Sequence, residues 1–260
     1  MRLIFITLLF ISSFVCFSQQ ITDLEVEYQE FHDVIVFNTH ITFHATLYAD
    51  SKRAIYKSYD DTEFSDKAFA IENAKPADQL ALKKFSGDYI SIDAIKNEML
   101  FFDIIFSNHF LVKDVYHNFN WKISNETKTI FGYNCIKATT SYRGRDWIAW
   151  FAPEISVPFG PWKLHGLPGL ILEAYDSKSE VAYKAVKIEF KKNDILTSDF
   201  TTLVKGRYKK PISYKQFLEE RTEAFYNLNE KMQTENPNVT SSDLEGGVPR
   251  TGPELKYEWE

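Results

Sequence analysis

Apolar and polar residues alternate with a period of two along most of this chain, the pattern of strands that bury one face. In ITDLEVEYQEF, Leu24, Val26 and Tyr28 oppose Ile21, Asp23, Glu25, Glu27 and Gln29. HITFHATLYAD sets Ile41, Phe43, Ala45, Leu47 and Ala49 against Thr42, His44, Thr46 and Tyr48, and KRAIYKSYD reads as its hairpin partner. MLFFDIIF is strongly apolar, interrupted by Asp103 alone, which predicts a strand covered on both faces or lining an apolar groove. Residues 121–152 read as a meander of WKI, TKTIFGYNCIKATTSY and DWIAWFAP, with Gly132 and Gly144 where the chain must bend. LILEAYD and VAYKAVKIEFKK follow, separated by a polar turn.

Helical signals are scarce. A short helix is expected around Pro76 to Lys84. Ser213-Tyr214-Lys215-Gln216 has the form of a capping box, with Pro211 just upstream. Tyr214, Phe217, Leu218, Phe225, Leu228 and Met232 then recur along one stripe, the face a helix lays on a sheet. The pattern predicts a mainly β fold with a C-terminal helix: one antiparallel twisted sheet or half-barrel. The expected organisation is a signal peptide over 1–18, one β-rich domain over 19–235, and a loosely ordered tail over 236–260, where prolines and a Gly-Gly pair gather.

Composition sets the location. Arg2 precedes the apolar run Leu3–Phe17, which is shorter than the about 20 residues a membrane span needs. Cys16 and Ser18 are the small residues of a signal-peptidase site, and Val15 is too bulky for a lipoprotein site at Cys16. Cleavage near Ser18 would leave a periplasmic or secreted chain with no transmembrane segment. The formal charge of −6 becomes −7 without Arg2, and acidic and basic residues are interspersed, so no basic stripe exists for nucleic acid. Cys135 alone remains after the leader, in an alternating run that predicts burial.

HGLPGLIL, from His165 to Leu172, is the densest local signal. Leu167-Pro168-Gly169-Leu170 predicts a type II turn with Gly169 at its third position. The rigid loop Val157–Trp162 lies just upstream, and Trp162, Leu164 and Leu167 are expected to pack down as a plug. Trp147, Trp150, Trp162 and His165 are the candidate binding residues. His165 could serve as a base only with an acid partner such as Glu173 or Asp176; otherwise it reads as a turn-capping or surface histidine. Arg143-Gly144-Arg145-Asp146 reads as a charged hairpin tip, although its guanidiniums could grip a carboxylate. His40 and His44 sit on a strand, about 13 Å apart, too far to share one ion. No zinc, hydrolase-elbow, P-loop or dinucleotide motif occurs, so no catalytic residue, metal or cofactor is assigned.

WIAWFAPEISVPFGPWKLHGLPGLILEAYD resembles the signature region of the GLPGLI family of exported proteins from Gram-negative bacteria. The hexapeptide is intact at Gly166, Leu167, Pro168, Gly169, Leu170 and Ile171, and Trp147, Trp150, Pro158, Gly160 and Pro161 also match. TKTIFGYNCIKATTSYRGRDW resembles the same family, so the likeness covers most of the mature chain. It implies an exported β-rich protein and supplies no catalytic residues. The function expected is therefore non-catalytic and periplasmic: binding an apolar small molecule or lipid, or an envelope protein such as an outer-membrane barrel. The alternatives are an envelope interaction module without a small ligand, and a hydrolase with a site near His165.

Overall fold

Among the described residues the alternating segments pair into one open sheet of twelve strands. The computed structural model describes residues 23–34, 39–59, 89–106, 108–192, 194–196, 200, 210–235 and 252–260. The leader and the helix expected around Pro76 to Lys84 lie outside these residues. The strands are β1 (Leu24–Val34), β2 (Thr39–Ala49), β3 (Arg53–Tyr59), β4 (Tyr89–Asp93), β5 (Glu98–Ile105) and β6 (Asn108–Val115). They continue with β7 (Lys122–Ile130), β8 (Tyr133–Tyr142), β9 (Arg145–Ala152), β10 (Leu170–Asp176), β11 (Val181–Phe190) and β12 (Ile212–Ser213), and the helix α1 spans Tyr214–Glu235. The fold is mainly β with a C-terminal helix, as the period predicts.

The order is β12-β6-β5-β4-β3-β2-β1-β11-β10-β9-β8-β7. The chain meanders outward from β1 to β6, crosses to the far edge at β7, and meanders back to β11, which pairs with β1. Every pairing among the described strands is antiparallel except that of β12 with β6, so the sheet is mixed at that edge. Phe131-Gly132 and Arg143-Gly144, with φ values of 52°, 82°, 45° and 83°, turn the hairpins β7–β8 and β8–β9. Two successive positive φ values are what a two-residue turn needs to match the twist of its strands.

Burial follows the predicted parity. Leu24, Val26 and Tyr28 point into the core from β1, and Phe43, Ala45, Leu47 and Ala49 from β2. The same parity carries Glu30 and His32 inward. Tyr56 donates to the Glu30 carboxylate at 2.5 Å and His32 Nε2 lies 3.1 Å from it, so the buried charge has partners. The apolar run in β5 is covered on both faces: Met99 and Phe101 join the main core, while Leu100 and Phe102 pack with Leu111 and Phe200 behind the sheet. In α1 the Ser213 hydroxyl accepts from the Gln216 N–H at 3.2 Å, as the capping signal predicts. Tyr214, Phe217 and Leu218 are buried, Phe217 meeting Phe101 and Phe110 edge-on, but Phe225 and Leu228 are half-exposed. The helix rests on edge strand β12 and its neighbour β6, and its later turns run beyond the sheet's cover. No described helix is long and apolar enough to cross a membrane.

Cys135 is fully buried in β8, and burial raises its thiol above the ordinary value. A thiol reagent added to the native protein is therefore expected to label it only on unfolding, with stoichiometric reaction in denaturant as the control. Fast labelling of the native chain would show that β8 opens locally.

Candidate functional site

The loops between β9 and β10 fold back onto the inner face of the sheet. Phe159 and His165 form an antiparallel bridge, the Gly166 N–H donates to Pro158 O at 2.8 Å, and the Ile171 N–H donates to Phe159 O at 3.0 Å. Trp162, Leu164 and Leu167 are all buried, so the loop is the plug that its composition predicts. The turn itself differs from expectation. Gly169 has φ 158°, and its N–H donates to Leu167 O across Pro168, while the Leu170 N–H is taken by Ile155 O at 3.0 Å. No type II turn closes there. Gly169 is needed for contact instead: a Cβ at this position would lie 2.3 Å from Ala152 O.

The four aromatic candidates are placed apart. Trp147 and Trp162 stack at 5.7 Å, and Trp147 also stacks on Tyr183, which puts both tryptophans in the core. Strand alternation puts Trp150 on the opposite face, under the Lys128 ammonium at 4.4 Å. His165 is buried between Tyr116 and Phe119 rather than at the surface, and its Nδ1 lies 2.8 Å from Lys163 O. Burial pushes its pKa below the ordinary value, against a smaller opposing effect of that carbonyl. Glu173 is bound to Lys128 at 2.7 Å and Asp176 to Arg145 at 2.8 Å, so neither acid serves His165.

The chemistry gathers elsewhere, at the β8–β9 tip. Arg143 and Arg145 are not a solvated tip: both are buried, and they grip carboxylates. Arg143 holds Asp114 of β6 in a two-point bond of 2.9 and 2.7 Å. Lys163, from the plug, reaches the same carboxylate at 2.8 Å. Glu254 then bridges both cations, 3.0 Å from Lys163 and in contact with Arg143, while Tyr214 donates to it. Glu258 adds a bond of 2.8 Å to Arg143 Nε and lies 2.9 Å from His117.

Residues 252–260 thus close a slot. This part of the expected loose tail is held: Leu255 and Lys256 donate their N–H groups to Arg143 O at 2.8 and 3.1 Å, and Arg145 donates to Gly252 O at 2.8 Å. Tyr257 is buried, edge-on to Tyr214 at 5.3 Å and stacked on Trp259 at 5.1 Å. The physical reason is charge. Proline and glycine content predicts weak local structure, but Glu254 and Tyr257 meet buried partners that composition does not reveal. A cavity of about 170 Å³ opens at the slot mouth beside Arg143, Gly144, Lys256, Tyr257 and Glu258.

Burial alone would raise the Asp114 carboxyl, but Lys163 and Arg143 outweigh it and hold the group well below the usual carboxylate range. Glu254 is lowered in the same way, against burial and by the same two cations. For Lys163, burial opposes the charge, yet Asp114 and Glu254 raise its pKa. Asp114, Glu254 and Lys163 are therefore ionised across the neutral range, as is Arg143, whose pKa its carboxylate partners raise against burial. Sequence reading flagged Arg143 and Arg145 but missed Asp114, Lys163, Tyr214 and Glu254 as a set. One signal was present: β6 parity puts Asp114 on the inward face with Val112, where an unpaired carboxylate would not be tolerated.

Fold and slot define an open-sheet β domain whose inner face is closed by its own plug and whose buried cations hold an acidic segment. The chain belongs to the family described as N-glycanase peptide, N-terminal domain, whose model matches residues 45–216. Solved structures of PNGF-II in C2 and P21 crystal forms share the fold at TM-scores of 0.53 and 0.54, with 19% identity over 78% of this chain. The chain spans about a third of PNGF-II, 33% and 34% in the two forms. A DUF1329 family protein from Desulfovibrio piger ATCC 29098 aligns at a TM-score of 0.32 and 8% identity, over 71% of this chain and 92% of its own length. No curated protein matches the sequence.

Proposed function

We propose that this is an exported, non-catalytic binding domain whose partner is a protein segment, in the periplasm or outside the cell. The observation that carries the reading is the slot: buried Arg143 and Lys163 hold Glu254 while the Arg143 carbonyl accepts two backbone N–H groups of the same segment. This combination of fixed charges and main-chain bonds suits a peptide. An envelope protein, including an outer-membrane barrel, is the partner class we favour. The leader-like residues 1–18 support export, as does the intact hexapeptide with its resemblance to the GLPGLI family. The family match supports a domain role, since the chain corresponds to a third of PNGF-II.

An apolar ligand or lipid would need the aromatic face, and Trp147 and Trp162 there stack on each other and on the core. A hydrolase at His165 would need an acid partner that Glu173 and Asp176 do not supply. Native mass spectrometry of protein purified from the periplasm, followed by solvent extraction, tests the reading. The expected mass is that of the chain from Gln19 onward, without an adduct, and crosslinking in intact cells is expected to capture an envelope protein. A reproducible extractable lipid would replace this reading with that of a carrier.

A further inference from the structure

Two features of the slot remain unexplained if residues 252–260 merely finish the fold. The described residues that form the receptor side, from Phe101 and Asp114 through Arg143 and Lys163 to Tyr214, lie within the family-matched 45–216, whereas the segment filling it lies beyond. The receptor side is also out of charge balance by itself. Among the described residues it buries Arg143 and Lys163 against Asp114 alone, two cations for one anion, and Glu254 supplies the missing negative charge. A buried uncompensated cation is costly, so the domain requires an anion at this position.

We infer that the slot is an exchangeable recognition site for peptides of the pattern Glu-x-x-Tyr, which Glu254 and Tyr257 occupy in cis. This rests on the binding-domain reading and names its ligand class. Glu254 is the anchor, between Lys163, Arg143 and the Tyr214 hydroxyl. Tyr257 is the second determinant, set beneath the Arg143 guanidinium and against the Tyr214 ring. Gly144 lets the ligand backbone approach: a Cβ there would lie 3.1 Å from Leu255 Cβ and 3.2 Å from Lys256 N. The open cavity beside Glu258 leaves room for further ligand residues at the mouth.

The test uses the full chain with a specific protease site inserted between Ser242 and Asp243. After cleavage, the released segment competes with a fluorescent peptide of sequence Gly-Pro-Glu-Leu-Lys-Tyr-Glu-Trp-Glu. The labelled peptide is expected to exchange into the cleaved protein, and peptides carrying Glu254→Gln or Tyr257→Ala are expected to bind at least about tenfold more weakly. Since these changes sit in the peptide, misfolding of the domain cannot imitate the loss. Three results would overturn the inference: no exchange while the cleaved domain stays folded, equal binding of all peptides, or unfolding of the domain when the segment leaves. A lipid in the native mass spectrum alongside selective exchange would instead overturn the carrier-free reading and leave this site standing.

Discussion

Replacing Asp114 by alanine is expected to destabilise the protein by about 3–5 kcal/mol, since among the described residues it leaves Arg143 and Lys163 buried with Glu254 as their remaining enclosed anion. For a domain of this size that lowers Tm by on the order of 10 °C. Asp114→Asn keeps the shape and is expected to cost nearly as much, because the loss is of charge rather than volume. Thermal unfolding of the two variants beside Leu100→Ala, a purely apolar truncation behind the sheet, separates charge from packing. A change below about 1 kcal/mol in both would mean that water or rearrangement satisfies the cations.

The same pairs give stability a signed pH dependence. Asp114 and Glu254 have folded pKa values below their unfolded ones, so their contribution is complete above about pH 5 and is lost as pH falls through the unfolded and then the folded values. His165 acts in the same direction: its lowered pKa means that stability falls as pH drops below about 6.5. Lys163, raised in the fold, contributes fully below about pH 10 and loses that contribution as pH rises through its folded value. Acid melting should therefore be less steep in Asp114→Ala than in the parent.

Gly169→Ala is expected to cost about 3 kcal/mol. The new Cβ meets only backbone, 2.3 Å from Ala152 O and 2.9 Å from Pro153 Cα, so no side chain can rotate away. Either β10 separates from β9 or the plug lifts from Trp147. Gly166→Ala supplies the comparison within the same hexapeptide. Its Cβ would enter open space, and the strain of φ 91° amounts to about 1 kcal/mol. Urea midpoints with unchanged slopes would report the difference. Equal losses at the two glycines would mean that backbone conformation, and not the approach to Ala152, is the reason for Gly169.

Much of this protein is written locally. Alternation over Leu24–Tyr28 and Phe43–Ala49 encodes which face each strand buries, because parity depends only on near neighbours. The apolar run of β5 encodes cover on two sides, and the Ser213 cap encodes where the helix begins. The plug is equally legible, since Pro158, Pro161 and Pro168 stiffen a loop whose large apolar residues have nowhere else to go. The slot is different. Asp114, Arg143, Lys163 and Glu254 are separated by 29, 20 and 91 positions in the chain, and apart from the inward parity of Asp114 nothing local distinguishes them from solvated surface charges. Only the tertiary structure, by bringing the β8–β9 tip, β6, the plug and residues 252–260 together away from water, turns four ordinary charges into one network. Periodicity is a property of neighbouring residues, whereas burial of charge is a property of the whole fold.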